Sequence, residues 1–162
     1  MACRYLISLN QTVLLSEPLQ RGGVVVFHSP ELDLSPASHH VAANNTYIDF
    51  LASNGHVILH IGFRPSYDQL VFNSSAGAWM REDRIGFHGR FKDGQDHTVA
   101  VYDHGDRYQI HCDGEIALSY IKQLNGEVTS ITYALDHDHG MFSDPILVEI
   151  YPDSAALART TM

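Results

Sequence analysis

The stretch HIGFRPSYDQLVFNSSAGAWMREDR, residues 60–84, decides the fold of this 162-residue chain. Read at a two-residue period, it separates into two faces. Ile61 and Phe63 share one side, as do Leu70 and Phe72. His60, Gly62 and Arg64 share the other, as do Val71 and Asn73, and Glu82 and Arg84 again fall together. Side chains alternate along a strand, so the pattern is that of neighbouring strands with apolar backs and a polar front. Outward from this stretch the chain continues in the same way. Residues 4–9, 12–15, 24–28, 47–51, 57–64, 69–73, 78–84, 97–102, 107–112, 116–120, 128–133 and 146–151 read as strands. Asn54-Gly55, Asp93-Gly94, Asp113-Gly114 and Asn125-Gly126 supply the positive backbone angles of tight turns between them. No segment of ten or more residues carries an apolar stripe at helical spacing with caps. A dozen short strands without intervening helices predict an all-β antiparallel sandwich or barrel, not a parallel sheet with crossover helices.

Composition narrows the classes of function. The length is that of one domain, taken as residues 1–152 with a short C-terminal tail over 153–162. Ten Lys and Arg stand against 19 Asp and Glu, a net charge of -9. That balance argues against nucleic acid, which needs a basic face, and against anionic membrane surfaces. No apolar run approaches the length of a membrane span, and the N-terminus lacks the apolar core and small-residue cleavage site of a signal peptide. The two cysteines, Cys3 and Cys112, are expected as free thiols. The long segment 29–44 reads as a loop.

The polar front of the central stretch carries His60, Arg64, Asn73, Glu82 and Arg84 beside Trp79, the only Trp in the chain. Hydrogen-bonding groups around one flat aromatic surface match a sugar, with hydroxyls at its rim and an apolar C–H patch on one face. Taken singly, these residues have plainer readings. Arg64, Glu82 and Arg84 alone describe a surface ion-pair ladder, and Trp79 alone describes a core aromatic.

In order and spacing this front resembles the galectin signature: His, two residues on Asn, two more on Arg, then Val-x-Asn, then Trp, then Glu-x-Arg. The corresponding positions here are His60, Gly62, Arg64, Val71, Asn73, Trp79, Glu82 and Arg84; seven of the eight match. The phrases ILHIGFR, LVFNS, GAWMREDR, DHGDRYQI and FSDPILVEIY are similar to those of mushroom (basidiomycete) galectins, and the resemblance runs from about residue 44 to 151. It implies a jelly-roll sandwich of two sheets, the galectin or concanavalin-like lectin fold, and a shallow groove for β-galactosides of the lactose and N-acetyllactosamine type. Carried over position by position, His60 and Arg64 hold the axial 4-hydroxyl of galactose, Asn73 and Glu82 hold the 6-hydroxyl, and Trp79 lies under the ring. Arg64, Glu82 and Arg84 reach the next sugar or brace one another. No cofactor is implied. Gly62 departs from the pattern, and an amide from Asn44 or Asn45, at the end of the long loop, is expected to take its place.

Function is therefore expected to be glycan binding without catalysis, made multivalent by a homodimer or homotetramer. The partners are galactosides on glycoproteins or glycolipids, and the location is cytoplasmic, with release by a route independent of a signal peptide. The alternatives are a galectin-like lectin shifted toward substituted galactosides or chitooligosaccharides, and a sandwich-fold glycan-active enzyme. Glu82 and the adjacent Asp83 point to opposite faces, and no second acid is expected beside Glu82, so paired-carboxylate hydrolysis is disfavoured. His39-His40 and the run 136–139 lack the paired spacing of a closed zinc site, so no metal is expected. The run 103–107 reads as a charged hairpin turn.

Overall fold

The computed structural model describes residues 2–34, 45–135 and 140–160. Among them are twelve strands: β1 (Cys3–Ile7), β2 (Gln11–Leu14), β3 (Val24–Ser29), β4 (Thr46–Ala52), β5 (Val57–Arg64), β6 (Gln69–Ser75), β7 (Asp83–Ile85), β8 (His97–Asp103), β9 (Arg107–Cys112), β10 (Glu115–Ile121), β11 (Val128–Leu135) and β12 (Ile146–Tyr151). A short helix, α1 (Ser154–Thr160), follows. The strands form two six-stranded antiparallel sheets, ordered β1-β12-β3-β8-β9-β10 and β2-β11-β4-β5-β6-β7. Their apolar backs face each other, as the alternation requires.

Ile48, Phe50, Leu59, Ile61, Phe63, Leu70 and Phe72 from the second sheet pack into one core with Phe27, Val99, Val101, Tyr108, Ile110 and Val148 from the first. Burying the central aromatic and aliphatic side chains contributes about 1.5–3 kcal/mol each, an upper range because the unfolded chain already hides part of that surface. A buried polar tie crosses between the sheets. The Tyr120 hydroxyl on β10 meets Ser74 Oγ on β6 at 2.6 Å, while Ser74 Oγ donates to the Ile58 carbonyl at 2.8 Å. Burial pushes the Tyr120 phenol up, which keeps it a donor.

The turns follow the residues that predict them. Asp113 and Gly114 both take positive φ, 51° and 81°, the two-residue turn whose twist suits a hairpin between β9 and β10. The run 103–107 closes the β8–β9 hairpin, with Arg107 and Asp106 paired at 3.1 Å and Lys122 held on Asp103 at 2.7 Å.

Two elements differ from the sequence expectation. The strand predicted over 78–84 exists only as Asp83–Ile85. Before it the chain turns at Gly77, φ 97°, and Trp79 touches Ser75 through a single bridge. The strand pattern there is real in side-chain alternation, but the turn removes the ladder partner. The tail after Tyr151 is not irregular; α1 covers the outer face of the first sheet, with Ala156 and Leu157 against Val24, Val26 and Tyr151. Its N-cap is Asp153, whose Oδ1 accepts from the Ala156 amide at 2.7 Å.

Candidate carbohydrate groove

The outer face of the second sheet presents two rows of side chains that run across β4, β5 and β6. One row is Asp49, His60 and Asn73, paired in register; the next is Tyr47, Gly62, Val71 and, on β7, Arg84. Above them lies a cavity of about 370 Å³ lined by Tyr47, Asp49, His60, Arg64, Asn73, Trp79 and Glu82. Five of the residues singled out in the sequence thus come together. Arg84 stands at the rim, ion-paired with Glu82. Asn44 lies outside the described residues. Asn45 does not line the cavity, and its side-chain oxygen is buried without a hydrogen-bond partner among the described residues. The histidine pair at 39–40 and the run 136–139 also lie outside the described residues.

His60 sits at the centre. Its Nδ1 is 2.6 Å from Asp49 Oδ1, and both side chains are only 13% exposed. The imidazole lies between two rings, with centroids 5.4 Å from Tyr47 and 4.8 Å from Trp79. Trp79 itself is 57% exposed, an uncommon state for the one Trp of a chain and one that leaves an aromatic surface open to solvent.

Gly62 occupies the middle of the floor. A Cβ placed there would lie 3.3 Å from His60 Nε2 and 3.9 Å from Arg64 Nε. The two nitrogens therefore both stand beside the space over the glycine. The same Cβ would lie 2.5 Å from Val71 Cγ2, and Val71 is fully buried. The Val71 methyl therefore packs into the space that a side chain at position 62 would take.

The loop that carries Trp79 and Glu82 is tied on both sides. Asn73 Nδ2 donates to the Met80 carbonyl at 3.2 Å, and Asn73 Oδ1 accepts from the Ser74 amide at 2.8 Å. From the other sheet's edge, Gln123 Nε2 donates to the Arg81 carbonyl at 2.7 Å and to the Tyr120 hydroxyl at 2.7 Å, while Gln123 Oε1 accepts from the Arg81 amide at 3.2 Å. These bonds replace the strand ladder that the sequence predicts over 78–84.

Sequence reasoning missed Tyr47, Asp49 and Gln123. For the first two the signal was present: Tyr47 and Asp49 alternate with Ile48 and Phe50, which places them on the polar face. Asp49 also corrects the expectation that no second acid shares the face of Glu82. Both line the same cavity, but Asp49 is engaged by His60 and Glu82 by Arg84.

Comparison with known proteins bears on the family and the fold. A family model described as galactoside-binding lectin matches residues 15–137. A galectin-1 of Coprinopsis cinerea is 37% identical over 108 residues, covering 65% of this chain and 70% of that one. An anti-tumor lectin of Cyclocybe aegerita is 32% identical over 151 residues, covering 91% and 94%. Among solved structures, the Caenorhabditis elegans galectin LEC-6 superposes with a TM-score of 0.65 at 17% identity, covering 91% and 94% of the two chains. A single-residue variant of human galectin-16 gives 0.67 at 18%, covering 88% and 96%.

Proposed function

The chain belongs to the galectin family of galactoside-binding lectins, and from that premise we propose that its groove binds β-galactosides of the lactose type without transforming them. The observation that carries this reading is that His60 and Arg64, whose Nε2 and Nε both stand near Gly62, line one cavity with the open face of Trp79. A hydroxyl seated in the cavity between the two nitrogens accepts from the guanidinium and donates to the imidazole. An axial 4-hydroxyl projects from the ring toward such a position while the C–H face rests on Trp79; an equatorial one does not, and leaves both nitrogens unpaired. Asn73 uses one amide hydrogen on Met80 and keeps the other for the 6-hydroxyl, next to Glu82. Arg84 braces Glu82 through their ion pair.

Charged hydrogen bonds of this kind contribute about 1.5–3 kcal/mol each where water is excluded, less in an open groove where guanidinium and carboxylate must be desolvated. A single site therefore binds weakly, and useful affinity comes from several sites on one particle, which raises avidity by roughly 10²–10⁴. A homodimer or homotetramer supplies them; sedimentation that finds monomer alone at working concentration removes this part.

The pairing of Asp49 with His60 and of Glu82 with Arg84 supports binding over hydrolysis. A glycan array read with the native chain and with Trp79→Ala tests the whole reading. Native signal confined to galactosides and lost in the variant supports it. Native signal on chitooligosaccharides alone, or cleavage of lactose on incubation, overturns it.

A further inference from the structure

We propose that Asp49 is a positioning residue that selects the tautomer of His60 and thereby makes the groove a receptor for a ligand hydroxyl; the inference rests on the galactoside reading above. A carboxylate can only accept a hydrogen bond. With Oδ1 2.6 Å from Nδ1, the hydrogen of the neutral ring must sit on Nδ1. Nε2 is then a bare lone pair, and it is Nε2 that stands beside the space above Gly62. The ring is held in a close-packed setting, 13% exposed and with the Tyr47 and Trp79 rings against it at 5.4 and 4.8 Å, which opposes its turning over to exchange nitrogens.

The opposite tautomer changes the chemistry of the site. With hydrogen on Nε2, the space over Gly62 would face two donors, the imidazole and the Arg64 guanidinium, which itself has no acceptor. A hydroxyl there would have no acceptor for its own hydrogen. The same groove would then favour an oxygen that only accepts, such as an ether or carboxylate. Asp49 turns a donor–donor pair into a donor–acceptor pair matched to one hydroxyl. It does so from behind His60, where hydrogen-bonding partners determine which ring nitrogen is free.

The test uses the intact chain at about pH 8. Nitrogen-15 NMR of the ligand-free protein reads the His60 tautomer, and calorimetry reads the affinity for lactose and for its 4′-deoxy analogue. The expected native spectrum shows hydrogen on Nδ1. Asp49→Leu should move it to Nε2 and weaken lactose by roughly tenfold, the loss of one hydrogen bond. Its effect on the 4′-deoxy analogue, which lacks the hydroxyl concerned, should stay within about twofold. Asp49→Asn is isosteric, but its amide can donate as well as accept and so no longer forces the hydrogen onto Nδ1; it should weaken lactose while leaving the 4′-deoxy analogue within about twofold.

A native spectrum with hydrogen on Nε2 overturns the proposal. So does an Asp49→Leu variant that weakens lactose and the deoxy analogue equally, since a general structural role predicts that outcome. Should Asp49→Leu fail to fold, the native spectrum and Asp49→Asn still decide the matter. Native protein that binds no lactose but shows the Nδ1 tautomer defeats the galactoside reading and leaves the positioning role of Asp49 standing.

Discussion

Replacing Gly62 by Asn restores the eighth residue of the galectin signature, and a comparison of sequences alone would expect it to strengthen binding. The structure predicts the reverse. The new Cβ falls 2.5 Å from Val71 Cγ2, about 1 Å inside an ordinary carbon–carbon contact. Val71 is stiff at χ1, fully buried and held in register between Gly62 and Arg84, so it cannot swing aside freely. Overpacking of this kind costs about 1–3 kcal/mol. Removing a strand glycine returns about 0.5–1 kcal/mol through the unfolded chain. The net loss is up to about 2.5 kcal/mol, which lowers the melting temperature by up to about 10 °C in a chain of this size. Lactose affinity should not improve, because the displaced Val71 disturbs the floor between His60 and Arg64. Thermal melts and calorimetry on Gly62→Asn, Val71→Ala and the double variant complete the test. The clash predicts a coupling of at least about 0.5 kcal/mol in favour of the double variant. An unchanged melting temperature with tighter lactose binding in Gly62→Asn would refute the reasoning.

Trp79→Ala should leave the melting temperature within about 2 °C, since the ring is largely exposed, yet weaken lactose by about 10–100-fold, the worth of covering one aromatic face; equal losses of stability and affinity would make Trp79 a structural residue instead. Burial pushes the Cys112 thiol up to about 12, whereas Cys3 is exposed, so a thiol reagent should label one cysteine in the native protein and two in denaturant; rapid native labelling of both contradicts the core placement of Cys112. Burial also lowers the His97 pKa, opposed in part by Asp113. The unfolded chain then takes up a proton near pH 6.5 that the folded chain still refuses, so stability falls as pH drops below about 6.5. His97→Phe should flatten part of that slope in melts between about pH 7 and 5, and a slope identical to that of the native chain would exclude His97 as its source.

The fold was legible because the chain obeys one local rule almost everywhere: a period of two, broken by Asx-Gly turns. Where side chains rather than the ladder hold the backbone, that rule misleads. Residues 78–84 alternate like a strand, but Gly77 turns the chain, and Asn73 and Gln123 replace ladder bonds with side-chain bonds. Gln123 lies far along the sequence, and nothing near it marks it as a clamp. The helix after Tyr151 was legible in principle, since Asp153 precedes a run of good helix formers; its shortness hid it, because packing on Val24 and Val26 rather than propensity makes seven residues helical.

The groove divides along the same line. His60, Arg64 and Asn73 stand out in sequence because each is a polar residue on the front of a strand, and Trp79 and Glu82 because they continue the same pattern into the loop after β6. Asp49 is equally on the front, but what gives it significance is a pairing between β4 and β5: Asp49 opposite His60, with Tyr47 opposite Gly62. Register is set by the turn at Asn54-Gly55 together with the irregular pairing between Phe50 and Leu51, so no spacing along one strand reveals it. A shift of one residue would put Ile48 behind His60, with no acceptor for Nδ1 and no preference for either tautomer. The chemistry that distinguishes a hydroxyl from a bare oxygen in this groove therefore depends on the registry of β4 and β5 as much as on the histidine that meets the sugar.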